Sequence, residues 1–237
     1  MSRDSAELLK VENLQGWYGE SHVLHGLNLS LARGECVCLM GRNGSGRTTT
    51  LRAIMGLLKR RSGSIRFEGS EMIGLAPHAI ARQGVGYCPE ERGIYSKLTC
   101  EENLLLPPIV RAGGMSLQDI YALFPNLQER RHSQGTRLSG GEQQMLAMAR
   151  ILRTGAPLLL LDEVSEGLAP VIVQKLGEVI RSLKLRGYTV LLVEQNFRFA
   201  SLLADRLYVI EHGTVVEEIR QSEIATRGEM LKSRLGI

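Results

Sequence analysis

The chain has 237 residues, 43% of them hydrophobic and 23% charged, which suits one α/β domain with its own core and leaves no need for a second catalytic domain. Its longest fully apolar run, around residues 157–161, is far short of the ~20 residues that a membrane-spanning helix requires. The formal charge of +4 comes from scattered Lys and Arg without a basic stripe interleaved with aromatics, which argues against nucleic acid as a partner.

Residues 1–10 carry charges of both signs and lack the apolar centre of a signal peptide, so a cytoplasmic location is expected. Alternating apolar residues over 8–14 and 27–31 predict antiparallel strands, whereas the continuous apolar run 36–40 predicts a central strand buried on both faces. A glycine-rich loop follows at once. Residues 48–58 then show helical spacing at Leu51, Ile54, Met55 and Leu58, with Gly56 the one weak position.

Residues 64–67 and 84–87 read as short strands. Residues 98–127 are helical in pattern and interrupted by Pro107-Pro108 and Gly113-Gly114, and a helical subdomain is expected over about 92–150. Ser116 with Asp119 forms an internal capping box, and Pro125-Asn126 is expected to close that helix. The α/β rhythm resumes with a strand at 158–161, a helix opened by Pro170 and carrying Leu176, Val179, Ile180 and Leu183, and a strand at 189–193. Strands alternating with helices imply a mainly parallel sheet. His212-Gly213 predicts a hairpin between 207–210 and 215–219, with a short helix after Ser222. Cys36, Cys38, Cys88 and Cys100 lack zinc-type spacing, and three of them fall in apolar strands, so reduced core thiols are expected.

Three segments carry chemistry. Residues 41–48, Gly41-Arg42-Asn43-Gly44-Ser45-Gly46-Arg47-Thr48, match the phosphate-loop pattern GxxxxGK[ST] except that Arg47 replaces lysine. The glycines let backbone N–H groups wrap phosphates, the helix start adds its positive end, and the Thr48 hydroxyl is a ligand for Mg²⁺. Thr49 belongs to the same cofactor-binding set. Taken alone, the segment also reads as a glycine-rich turn between strand and helix. The strand at 158–161 then delivers Asp162 and Glu163 at its C-terminal end, where open α/β sheets bind ligands. Asp162 suits Mg²⁺, directly or through water, and Glu163 is placed to polarise the water that attacks a γ-phosphate. Between them lies Leu-Ser-Gly-Gly-Glu-Gln-Gln at 138–144. Ser139 with Glu142 is an ordinary capping box, but the doubled Gly140-Gly141 makes sense where bare backbone must approach a phosphate.

With these motifs in this order, the chain resembles the nucleotide-binding subunits of ABC transporters over nearly its whole length. The resemblance implies a P-loop ATPase fold and an ATP sandwich, in which the phosphate loop of one subunit and Ser139, Gly140, Gly141 and Glu142 of another close on one nucleotide with Mg²⁺. Tyr18 stands where the family stacks an aromatic on adenine, with core packing as the alternative. Glu90 occupies the place of a glutamine that senses Mg²⁺, and Gln195 that of the switch histidine; each also reads as a solvated polar residue at a strand end. Glu90, Gln195 in Glu-Gln-Asn and the Ser-Glu-Gly-Leu-Ala-Pro run at 165–170 are similar to importer ATPases for branched-chain amino acids, urea or amides. Partners implied by that likeness are a second ATPase subunit, identical or related, two membrane permease subunits and, indirectly, an extracytoplasmic solute-binding protein.

Two departures stand out. Arg47 keeps the charge of lysine but presents a broad planar fork in place of a compact ammonium. Losing one preorganised donor costs roughly 3 to 4 kcal/mol of barrier, or about a hundred- to a thousandfold in rate, so weakened hydrolysis is expected. The second reading is therefore a nucleotide-binding but weakly hydrolysing half of a heterodimeric ATPase. Val164 replaces the proline usual in the family, with no clear defect expected.

Overall fold

The computed structural model describes residues 7–224 and 226–227. In chain order the elements are β1 (Glu7–Tyr18), β2 (Ser21–Ala32), β3 (Cys36–Met40), α1 (Arg47–Ile54), β4 (Arg60–Phe67), β5 (Ser70–Glu71), α2 (Pro77–Gln83) and β6 (Val85–Cys88). They continue with α3 (Cys100–Leu105), α4 (Leu117–Leu123), α5 (Pro125–Glu129), α6 (Gly140–Arg153), β7 (Leu158–Asp162), α7 (Pro170–Leu185), β8 (Thr189–Val193), α8 (Phe197–Leu203), β9 (Arg206–Glu211) and β10 (Thr214–Arg220).

Two sheets form. The predicted N-terminal strands pair antiparallel in a four-stranded sheet of order β2-β1-β4-β5, and a six-stranded sheet has the order β10-β9-β3-β8-β7-β6. Within the second sheet every pairing from β9 to β6 is parallel, and only the β9–β10 hairpin is antiparallel. Strands β3, β7 and β8 are buried along their whole length, because alternate side chains enter different cores. Cys36, Cys38, Leu159, Leu161, Val190 and Leu192 join the core against α6, α7 and α8. Val37, Leu39, Leu158, Leu160, Leu191 and Val193 join the core under α1 and the antiparallel sheet.

Local chemistry accounts for the helix ends. The helix after the phosphate loop stops at Ile54, short of the expected Leu58, because Gly56 takes a left-handed φ of 74°. Gly56 N–H then donates to the Ala53 carbonyl at 3.1 Å and Leu57 N–H to the Arg52 carbonyl at 2.8 Å, the paired bonds of a Schellman cap. The capping boxes at Ser116/Asp119 and Ser139/Glu142 both form. Pro125 does not close a helix as expected; Phe124 breaks the helical path and Pro125 opens α5, its missing N–H harmless at that position. β4 begins at Arg60, four residues before the predicted strand, because Arg60, Arg61 and Ser62 pair with Trp17, Gly16 and Gln15 of β1. The elements α2, α8 and β5 were not read from the sequence. Residues 221–224 and 226–227 are helical, in keeping with the expected terminal helix, while the expectation for residues 1–6 lies outside the described residues.

All four cysteines are free and buried, and burial pushes the Cys36, Cys88 and Cys100 thiols up to about 12. They are inert core residues at neutral pH.

The two sheets are tied by Arg206 on β9. Its Nε and Nη2 donate to the two Glu35 carboxylate oxygens at 2.7 and 2.9 Å, and Nη2 also reaches the Ser30 carbonyl of β2 at 2.7 Å. Both side chains are under one-fifth exposed, so truncation leaves a partly desolvated carboxylate unpaired. Arg206→Ala is expected to lower unfolding stability by roughly 3 kcal/mol, with Arg206→Lys keeping part of it, as read from urea midpoints.

Candidate nucleotide site

Adjacent pairing of β3, β8 and β7 places their C-terminal ends side by side, with Leu39 opposite Val193 and Val193 opposite Asp162. The loops after those ends carry the phosphate loop, Gln195 and Glu163, while Glu90 follows the neighbouring β6. After Met40 the loop 41–46 turns back, with Ser45 N–H donating to the Arg42 carbonyl at 3.0 Å, and the Ser45 carbonyl accepting Gly213 N–H at 2.8 Å. Gly46 caps α1 with a φ of 109°, a conformation open to glycine. Residues 43–49 line a cavity of about 480 Å³, and Val23, Glu90, Glu163, Glu166 and Gln195 complete its wall. Ser45 Oγ is buried there without a hydrogen-bond partner, as suits a cradle built for an anion with several acceptor oxygens.

Asp162 is fully buried at the end of β7. Thr48 Oγ1 and Tyr87 OH each donate to it at 3.0 Å. Burial pushes its carboxyl up to about 6, the Thr48 and Tyr87 bonds oppose this, and the Glu163 and Glu90 charges add to it. A hard oxygen pair, Thr48 and Asp162, thus stands beside the loop with no cation partner on the carboxylate among the described residues, a donor set that fits Mg²⁺.

Glu163 sits one residue further on, in the left-handed region at φ 48°, strained for a residue with a Cβ. One of its oxygens pairs with Arg47 Nη2 at 3.0 Å, both side chains under one-tenth exposed, and the other accepts the Gln195 amide at 2.9 Å. Arg47 is further held by Nη1 donating to the Glu194 carbonyl at 2.9 Å and Nη2 to Asn43 Oδ1 at 3.3 Å. Burial and the Glu166 carboxyl raise the Glu163 pKa, and the Arg47 charge and Gln195 bond hold it down. The residue that departs from the phosphate-loop pattern is thus bound to the carboxylate expected to activate water.

The stretch that holds the phosphate loop, the Gly140-Gly141 start of α6 and Asp162 is matched by a family model described as ABC transporter, over residues 24–166. The chain belongs to the ABC transporter family. It is 40% identical to the high-affinity branched-chain amino acid transport ATP-binding protein BraG of Pseudomonas aeruginosa, over 97% of this chain and 100% of that protein. It is 30% identical to the lipopolysaccharide export system ATP-binding protein LptB of Haemophilus influenzae, over 97% of each. Among solved structures it is similar to an ATP-binding cassette in a dimeric post-hydrolysis state with ADP and phosphate bound, at TM-score 0.80 and 25% identity, covering 90% of this chain and 99% of that one. As a member of this family it binds nucleotide and hydrolyses ATP.

Not every expected site residue meets in this ABC subunit. Gly41 and Arg42 shape the loop without lining the cavity, and Ser139, Gly140, Gly141 and Glu142 lie on the capped start of α6, outside its lining. Tyr18 ends β1 and is about half exposed, so it is not core. Glu90 stands with Glu163 and Glu166, their oxygens within 4.8 Å of one another. No role was read for Tyr87 or Glu166, although Glu166 belongs to the Ser-Glu-Gly-Leu-Ala-Pro run and Tyr87 stands three residues before Glu90. Glu194 and Ser165 were read only as members of their motifs, and their contact was not foreseen: the buried Glu194 carboxylate accepts Ser165 N–H at 3.1 Å and Ser165 Oγ–H at 2.7 Å.

Burial raises the Glu194 carboxyl to about 7, with the Ser165 bonds opposing and the Glu163 charge adding. A carboxyl raised on folding favours the protonated state, so its contribution is intact below about pH 4.5 and is lost as pH rises through 7. Asp162 acts in the same direction up to about pH 6. Thermal unfolding followed from pH 5 to 8 is expected to show falling stability, and Glu194→Gln to flatten that fall, gaining up to ~3 kcal/mol above pH 7.

Proposed function

We propose that this chain is the ATP-hydrolysing subunit of an importer for branched-chain amino acids or related small solutes. The observation that carries the ATPase chemistry is the single cavity in which residues 43–49 face Glu163 and Gln195, with Thr48 bonded to Asp162. Support for the solute class comes from the 40% identity with BraG; LptB, of a lipopolysaccharide export system, is less similar at 30%.

In this reading backbone N–H groups of the loop and the Ser45 hydroxyl bind the phosphates, and Thr48 and Asp162 hold Mg²⁺. Bound Mg²⁺ supplies charge neutralisation at the phosphate oxygens. Glu163 takes a proton from the attacking water while Gln195, donating to its second oxygen, orients the carboxylate. Burial of Glu163 makes it the stronger base. Ser139, Gly140, Gly141 and Glu142 serve a nucleotide held by a second ATPase subunit, and Tyr18 serves the adenine. Glu90 senses the metal from the cavity wall. The region 92–150 acts as a helical subdomain facing two permease subunits, and a solute-binding protein acts on the far side of the membrane. No described helix is long and apolar enough to cross a membrane, and the chain works from the inner face.

A weakly hydrolysing, regulatory half is the second reading, favoured by the Arg47–Glu163 ion pair. A guanidinium committed to the general base is taken from the phosphates, and the base is taken from water. The readings separate when nucleotide binding and phosphate release are measured on the assembled transporter. Glu163→Gln is expected to bind Mg·ATP as the wild type does and to hydrolyse it at least a hundredfold more slowly. Arg47→Lys is expected to speed hydrolysis about tenfold or more; an equal or lower rate removes the second reading, and a wild-type complex that ignores Mg·ATP removes the first.

A further inference from the structure

Glu194 has no role in the chemistry described so far, yet it lies at the junction of the three strand ends. It is 2% exposed. Its N–H donates to the Leu39 carbonyl of β3 at 3.3 Å, its carbonyl accepts Arg47, and its carboxylate accepts both the N–H and the hydroxyl of Ser165. Among the described residues its carboxylate has no salt bridge. A buried carboxylate without a cation is costly, and its cost is tolerated here only because hydrogen bonds satisfy its lone pairs.

Those bonds complete a ring. Glu163 leads covalently through Val164 to Ser165, Ser165 bonds to Glu194, Glu194 leads to Gln195, and the Gln195 amide returns to the Glu163 carboxylate at 2.9 Å. The ring also contains the one strained backbone position of the cavity wall, Glu163 at φ 48°. A strained residue persists when its surroundings over-determine it. The Glu163 N–H bond to the Val193 carbonyl at 2.9 Å fixes one side of that residue, and the Ser165–Glu194 clamp fixes the other.

We propose that Glu194 is a positioning residue for ATP hydrolysis: by clamping Ser165 it fixes the Glu163 carboxylate and the Gln195 amide toward the phosphate cavity. The inference rests on Glu163 acting as the base. Glutamine at this position keeps the ring, because its carbonyl oxygen accepts Ser165 N–H and its amide donates to Ser165 Oγ. Alanine opens it.

The test is steady-state ATP hydrolysis by the assembled transporter, with nucleotide affinity measured separately on the same preparations. Glu194→Ala is expected to lower kcat about 10- to 100-fold with KM and nucleotide affinity within about threefold, because misplacing a reacting group costs that much without touching the phosphate cradle. Glu194→Gln is expected to recover kcat to within about threefold of wild type. Ser165→Ala, which removes one of the two clamp bonds and is expected to fold whatever Glu194→Ala does, should lower kcat by about three- to tenfold at unchanged KM. The double variant should be no slower than Glu194→Ala, since both open one ring. A Ser165→Ala enzyme with wild-type kcat, a Glu194→Gln enzyme as slow as Glu194→Ala, or a rise in KM matching any loss of rate would overturn the proposal. If Glu163→Gln itself keeps full turnover, the fault lies in the assignment of the base and the clamp falls with it; if Glu163→Gln is dead and the clamp variants are not, the clamp alone is wrong.

Discussion

The register of three parallel strands governs everything at this site. Because β8 pairs with β3 on one side and β7 on the other, three loops distant in sequence leave the sheet side by side at one edge. Parallel strands place all their C-terminal ends at one edge, and loops at that edge are free of ladder bonds and able to face a ligand. The double burial of β3, β7 and β8 holds this register firm, since a slip by one residue would send Cys38, Leu161 and Leu192 into the wrong core.

On that frame the site concentrates buried charge. Asp162 and Glu194 lie beneath the cavity with hydrogen bonds but no cation, while Glu163 is neutralised by Arg47. Each carboxyl is raised by desolvation, and the structure tolerates the cost because every oxygen named is met by a donor. The Arg47–Glu163 pair is the consequence of a longer side chain. Guanidinium reaches across the loop and finds three acceptors, the Glu163 carboxylate, the Glu194 carbonyl and Asn43 Oδ1, which hold its planar fork in one place.

Motif reading was strongest where local chemistry decides. Capping boxes at Ser116 and Ser139, the proline at the start of α7, the hairpin turn at His212-Gly213 and the three buried strands each depend on residues within a few positions. It was weaker where a distant partner decides: Gly56 looked like a tolerated defect until its left-handed φ ended α1, and β4 was extended by its pairing with β1. Helices α2 and α8 are seven residues each, too short for periodicity to separate them from loops.

From the residues came a mainly parallel α/β sheet, the phosphate loop with Arg47 out of pattern and the candidate acids Asp162 and Glu163, because these are properties of spacing along one chain; the ABC-type fold came with the family resemblance that those motifs carry. Only the tertiary structure decided where Arg47 spends its charge, that Tyr87 and Thr48 share Asp162, and that Glu194 grips Ser165. Those partners are separated by 116, 75, 114 and 29 residues and meet only through sheet register, which no local pattern encodes.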